Sequence, residues 1–248
     1  MLIEVLGENK SIVLEIINNI GRELEKHIPF TSNARIWKEE LYFETPLDLS
    51  INEYKLSKHY HVESGKVYYW KPGNAFCIFY GISEPYTPVY YIGEVIGPLR
   101  VLYTINKFKE GEKIRIEIHE PSIVDKNIVK ILEEEGYKTA TPIIGGSREL
   151  AALKMIEDKR ITFMVYVEDY GIHIEGEGLY EYKKDFLTLS NLISLKNKIK
   201  MRFSKVRLDL SEDGWVCLTG TVESLNELKE LLREYEAAYL YILGELQA

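Results

Sequence analysis

Apolar and polar positions alternate in short runs through the first half of the chain, and the period changes in the second half. Residues 1–6 and 11–16 are two β-prone runs around Gly7-Glu8-Asn9-Lys10, which predicts a hairpin. Asn18 or Asn19 can cap a short helix through His27, with Ile20 and Leu24 on one face, and Pro29 stops it. From residue 34 to 120, short apolar and aromatic runs are separated by Thr45-Pro46, Ser64-Gly65, Pro72-Gly73-Asn74, Gly81, Pro85, Gly97-Pro98 and Gly111. That rhythm predicts a closed β-barrel, the β architecture that leaves no edge unpaired. After Pro121, residues 122–135 place Ile123, Ile128, Ile131 and Leu132 near helical period, ended by Gly136. Residues 147–158 read as a second helix with Leu150, Leu153 and Ile156 along one side. Strands follow at 160–168 and 172–177. The last stretch reads as strand 179–186, helix 190–199, hairpin strands 202–210 and 215–222, helix 223–235 carrying Leu225, Leu228, Leu231 and Leu232, and strand 238–243. This β-α-β-β-α-β order is that of a ferredoxin-like unit. The expected fold class is therefore α+β. A barrel domain spans 1–120 and an α+β domain 121–248, the latter divided into a connector over 121–177 and the ferredoxin-like unit over 178–248.

Composition narrows the class. At roughly 100–200 residues per domain, 248 residues make one large domain or two ordinary ones. A hydrophobic fraction of 46% and a charged fraction of 28% exclude collagen, coiled coil and intrinsic disorder. No apolar run approaches the roughly 18–20 residues that span a bilayer, so no membrane partner is expected. Met1-Leu2-Ile3-Glu4 has no basic stretch of the kind that opens a signal peptide. The two cysteines, Cys77 and Cys217, are far apart, which argues against a disulfide framework or a cysteine zinc site. The expectation is a cytoplasmic protein. Net charge is −8, with 14 basic against 17 acidic residues over 1–120 and 17 against 22 beyond. Neither part carries the positive excess that grips nucleic-acid phosphates, and Lys196, Lys198, Lys200, Arg202, Lys205 and Arg207 read as a wet helix and strand face. Gln occurs once, at Gln247, against 28 Ile and 18 Tyr. Scarce amides beside abundant Glu, Lys and Ile point to a thermophilic source.

The segment 65–81 runs Gly65-Lys66-Val67-Tyr68-Tyr69-Trp70-Lys71-Pro72-Gly73-Asn74-Ala75-Phe76-Cys77-Ile78-Phe79-Tyr80-Gly81. It resembles the signature of a prokaryotic family of cyclophilin-like domains of unassigned function. Ile28-Pro29-Phe30, the segment from Trp37 to Pro46, Ile92-Gly93-Glu94-Val95-Ile96-Gly97 and Gly111-Glu112-Lys113-Ile114-Arg115 fall in that family's order. The resemblance covers residues 1 to about 118 and implies a small closed cyclophilin-like barrel with a helix at its mouth. It departs from the family at Lys66 and Lys71, and the chain runs short between Tyr80 and Val89. From the residues themselves, Ala75, Cys77 and Phe79 share one face of a strand and Phe76, Ile78 and Tyr80 the other, so the strand is expected to be buried on both sides. Pro72-Gly73 suits the centre of a type II turn.

Several constellations bear on function. The Phe-His-Arg stretch and the Gln-Gly-Gly-Asp segment of prolyl isomerases are absent, although Arg35 could approach the same mouth. Arg35, Trp37, Glu39, Tyr42, Trp70 and Asn74 combine aromatic surface with polar groups, the composition of a small-molecule or peptide site. Glu39 or Glu40 could serve as a general base if burial raised its pKa. His59-x-His61-x-Glu63 and His173-x-Glu175-x-Glu177 place imidazoles and carboxylates on one strand face, but each would need further ligands, and no metal is expected. Gly145-Gly146-Ser147-Arg148 ahead of the expected helix could hold an anion, or simply be a turn with Ser147 as N-cap. No cofactor motif is found. The leading expectation is a binding module at the barrel mouth. The alternatives are an enzyme, isomerase-like or a carboxylate-assisted lyase or hydrolase, and a homodimeric assembly protein.

Overall fold

The structure is a computed structural model that describes residues 1–122 and 125–247. Its first half runs β1 (Leu2–Gly7), β2 (Lys10–Ile16), α1 (Asn18–Glu25), β3 (Phe30–Asn33), β4 (Arg35–Trp37), β5 (Glu40–Glu44), α2 (Ile51–Tyr54), β6 (Lys58–His59), β7 (Lys66–Trp70), β8 (Ala75–Phe79), β9 (Val89–Ile96), α3 (Arg100–Tyr103) and β10 (Lys113–Ile118). Next come α4 (Lys126–Glu134), β11 (Lys138–Ala140), β12 (Ile143–Ile144), β13 (Ser147–Arg148), β14 (Leu150–Ile156), β15 (Lys159–Glu168) and β16 (Gly171–Gly176). The chain closes with β17 (Tyr180–Glu181), α5 (Phe186–Arg202), β18 (Val206–Leu210), β19 (Trp215–Val222) and α6 (Leu225–Gln247). It divides into two compact units. The first joins Met1–Pro121 to Thr141–Arg148, and the second joins Ser122–Ala140 to Glu149–Ala248.

In the first unit, ten antiparallel strands run in the order β3-β10-β1-β2-β9-β7-β8-β5-β4, with β6 paired beside β9. Period-two alternation turns Ile3, Val5, Leu14, Leu41, Phe43, Val67, Tyr69, Phe76 and Ile78 into one buried core, which Ile20 and Leu24 of α1 join. The expected closed barrel is not formed as a continuous ladder, because the path has two ends. Those ends, β3 and β4, are successive pieces of one segment and pair with β10 and β5 respectively. A side chain takes over where that ladder stops. Glu110 accepts the Ile36 N–H at 2.6 Å and the Arg35 guanidinium at 2.9 Å, satisfying an edge that would otherwise lack an acceptor. Strand β8 is buried on both faces, as its sequence predicted. The turn before it differs from expectation: Lys71–Gly73 form a 3-10 turn, and Asn74 rather than Gly73 takes the left-handed conformation.

In the second unit, a seven-stranded sheet in the order β11-β14-β15-β16-β19-β17, with β18 beside β19, packs against helices through one apolar core. Ile128 and Leu132 of α4, Leu195 and Ile199 of α5, and Leu228, Leu231, Leu232 and Tyr235 of α6 supply the helical side of that core. Ile123, expected on the inner stripe of α4, lies outside the described residues. Two elements correct the sequence reading. Residues 147–158 hold strands β13 and β14 rather than a helix, and residues 238–243 lie inside α6 rather than forming a last strand. The final strand of a ferredoxin-like unit is therefore not made. The Gly145-Gly146 pair does not precede a helix either. With φ of 59° and 94° it is the two-residue turn between β12 and β13, the φ > 0 geometry that tight hairpins need. The anion reading of that segment falls with its helix. Of the basic residues of 196–207, Lys198 pairs with Glu245, Lys205 with Glu227, and Arg202 lies 4.5 Å over the Tyr241 ring.

Candidate functional site

The alternation that points Leu41, Phe43, Val67 and Tyr69 inward turns Glu40, Tyr42, Tyr68, Trp70, Cys77 and Phe79 to the opposite face of the sheet. There Tyr68, Cys77, Phe79 and Val89 form a small apolar cluster, with Tyr42, Trp70 and Tyr91 packed against it. A cleft of about 280 Å³ opens on this face. Trp37, Tyr42, Trp70 and Tyr86 wall it, Glu40 and Cys77 line its buried part, and Pro85 and Thr87 bring in the loop ahead of β9. The cleft thus lies on the side of the sheet away from the core, where a barrel mouth had been expected.

Its walls are two ring corners. Trp37 and Tyr86 meet edge to face with centroids 4.9 Å apart at 70°, and Tyr42 and Trp70 do so at 6.5 Å and 83°. The Trp70 indole N–H donates to Thr87 Oγ1 at 2.8 Å, tying the ring to the loop. The ring also needs Gly73, since a Cβ there would lie 2.4 Å from Trp70 Cζ3. The short segment after Tyr80 therefore takes part in the cleft despite its length.

Of the six residues picked out in the sequence, Trp37, Tyr42 and Trp70 line this cleft, and Arg35, Glu39 and Asn74 do not. Arg35 pairs with Glu110 on an exposed surface. Asn74 holds its turn, accepting the Tyr69 hydroxyl at Oδ1 (2.8 Å) and the Thr45 N–H at its carbonyl. Glu39, in the two-residue turn between β4 and β5, accepts the Ile82 N–H at 2.8 Å and the Tyr103 hydroxyl at 3.1 Å, while its own N–H donates to Ser83 Oγ. It anchors the loop rather than facing the cleft. The carboxyl in the cleft belongs to Glu40, and a signal for it existed: Glu40 has the parity of Tyr42, whereas Glu39 falls in the turn.

Glu40 is 7% exposed, and burial pushes its carboxyl above the ordinary carboxylate range, opposed by a hydrogen bond from the Cys77 thiol. Burial also drives the Cys77 thiol well up, so it stays protonated at neutral pH, and it raises the Tyr42 hydroxyl. Among the described residues no basic side chain forms an ion pair with Glu40.

The metal-like stretches stay dispersed. The His59 ring meets the edge of Tyr68, His61 lies 3.4 Å from Glu84, and Glu63 pairs with Lys66. His173 hydrogen-bonds Thr221. Among the described residues no group of three or more His, Cys, Asp or Glu side chains is gathered for a metal ion, and no helix is long and apolar enough to cross a membrane.

Comparison with known families matches residues 1–117 to the model described as Cyclophilin-like. This part of the chain is a cyclophilin-like domain. Both the cleft and the aromatic signature leading into β8 fall within it. Among solved structures, the chain is similar to the solution structure of a hypothetical protein from Archaeoglobus fulgidus. Identity is 23% over 47% of this chain and 93% of that one, with a TM-score of 0.37. Comparison with curated proteins returns no match. The cyclophilin-like domain's Arg35, the residue that stood nearest to an isomerase reading, is occupied by Glu110 and does not line the cleft.

Proposed function

We propose that the cyclophilin-like domain is a binding module that takes a small molecule, or one side chain of a peptide, in the aromatic cleft on the outer face of its sheet. The observation that carries this reading is the enclosure of the buried Glu40 carboxyl by Trp37, Tyr42, Trp70 and Tyr86. Ligand sites are concave, largely apolar and aromatic, with a few placed polar groups that fix orientation. Binding is favoured over catalysis by the ionisation of the cleft. Burial raises the pKa of both the Glu40 carboxyl and the Cys77 thiol, which disfavours the thiolate that a nucleophilic cysteine needs. A fragment screen read by tryptophan emission tests the reading. In a Trp215→Phe background only Trp37 and Trp70 report. A ligand of this site should quench them saturably, and Trp70→Ala should abolish its binding. If no member of the screen perturbs either tryptophan, the reading is wrong.

A further inference from the structure

Glu40 sits in an unusual position for a buried acid. A carboxylate among apolar walls is costly unless a counter-charge meets it, and among the described residues the chain supplies none. The titratable groups around it are Cys77 on β8, Tyr42 on its own strand, Tyr80 beyond β8 and Tyr86 on the loop. None is a cation. The rings beside it are, in contrast, disposed to receive one. The Lys38 ammonium already lies 4.3 Å from the Trp37 ring centroid and 5.1 Å from that of Tyr86, within the reach at which a ring quadrupole attracts positive charge.

The chemistry of the walls then selects among cations. A divalent metal needs several oxygen or nitrogen ligands, and the cleft offers one carboxyl. A primary ammonium or a guanidinium brings three to five N–H donors, each of which needs an acceptor, and among the described lining residues Glu40 supplies the one carboxyl. The hydroxyl-bearing residues of the lining are Thr87, whose Oγ1 already accepts from Trp70, and Tyr42 and Tyr86. An alkylated ammonium spreads its charge over an apolar surface and asks only for ring faces and one carboxylate. The space, about 280 Å³, lies just below the range of roughly 300–1,000 Å³ typical of drug-sized sites, which fits a headgroup rather than a large cofactor.

We propose that the cleft binds a small alkylated ammonium ion, its charge held between the aromatic walls and the Glu40 carboxylate. This rests on the binding-module reading above and adds the chemical class of ligand. Binding favours the ionised carboxyl of Glu40 over the neutral one, because only the carboxylate carries the counter-charge.

Choline and its uncharged carbon isostere 3,3-dimethylbutan-1-ol, titrated calorimetrically into the full-length protein, test the proposal. Choline should bind saturably and about tenfold or more tightly than the alcohol, the scale of one or two ring–cation contacts. Its affinity should fall as the pH is lowered and Glu40 takes up its proton. Glu40→Gln should erase the preference for choline. Tyr86→Ala, at an 82% exposed position where folding is not at risk, should weaken choline and leave the alcohol little changed. Equal affinity for the two probes overturns the ammonium assignment and leaves the binding reading standing. So does failure of both probes while some other fragment quenches Trp37 or Trp70. Silence from the probes and from the whole screen overturns both.

Discussion

Glu4 shows how much a single buried carboxylate can carry in this protein. It is 1% exposed on β1, with His119 Nδ1 at 3.0 Å from one oxygen and the Arg148 guanidinium on the other. His119 Nε2 accepts the Thr141 N–H at 3.1 Å, which leaves Nδ1 as the donor to Glu4. Burial alone would raise the Glu4 pKa, but hydrogen bonds from His119, Ser11 and Arg148 outweigh it, and the carboxyl ends below its usual range. The stabilisation is therefore fully present above the unfolded pKa of about 4.3 and disappears as pH falls through the lower, folded value. Glu4→Ala should cost about 3 kcal/mol in urea unfolding at pH 7, since it leaves His119 and Arg148 without their acceptor. The gap between variant and parent should close as the solution is acidified below the folded pKa. A pH-independent gap would show that charge on Glu4 is not what stabilises the cluster. Nothing in the sequence marks this cluster, because its members are 115 and 144 residues from Glu4. The cleft was half legible for a related reason. Trp37, Tyr42 and Trp70 announce themselves by residue type, but the choice of Glu40 over Glu39 turns on which residues occupy a two-residue turn.

At the scale of elements, the strands of the cyclophilin-like part were readable because their alternation is regular and their turns carry Gly, Pro and Asn. The misreadings have identifiable causes. In β14, Leu150, Leu153 and Ile156 are spaced three apart and imitate a helix, while Ala151 and Ala152 are buried on opposite faces of a central strand. In α6, the run Tyr239-Leu240-Tyr241-Ile242 has strong β propensity, yet Leu228, Leu231, Leu232, Tyr235, Ala238, Tyr239 and Ile242 make one buried helical stripe. Packing of that stripe overrides local preference. The loop 81–88 was undervalued because its anchor is Glu39, some forty residues earlier. Glu39→Ala should loosen the loop without touching a ligand. A hydrogen bond to a charged acceptor contributes about 1.5–3 kcal/mol, so the Ile82 amide should exchange about tenfold or more faster in hydrogen-exchange mass spectrometry. Ligand affinity should fall with it. Unchanged exchange at Ile82 would mean that Thr87 and Trp70 hold the loop by themselves.

At the scale of the whole molecule, the chain does not pass once from one unit to the other. It leaves the first unit after Pro121, returns for Thr141–Arg148, and leaves again. That return lies beyond residues 1–117, the part that matches the cyclophilin-like model, yet it completes polar groups buried within the first unit. Ser11 Oγ accepts the Ile143 N–H at 2.7 Å, and Asn106, fully buried, donates to the Ile143 carbonyl at 2.7 Å. Thr141 and Arg148 then cap His119 and Glu4. Removing the hairpin strands four buried or half-buried partners at once. At about 0.5–1.5 kcal/mol for each neutral hydrogen bond and more for the charged one, the loss is about 3–6 kcal/mol. Domains of this size are stable by about 5–15 kcal/mol, so the loss is a large share of the whole. A chain cut after Pro121 should therefore unfold at a much lower urea concentration than the same unit does in the intact Trp215→Phe protein, both followed by Trp37 and Trp70 emission. Equal midpoints would show that the cyclophilin-like part carries its buried polar groups on water alone. A lowered midpoint would make the returning hairpin part of the domain's fold, a long-range dependence that a single boundary near residue 120 does not express.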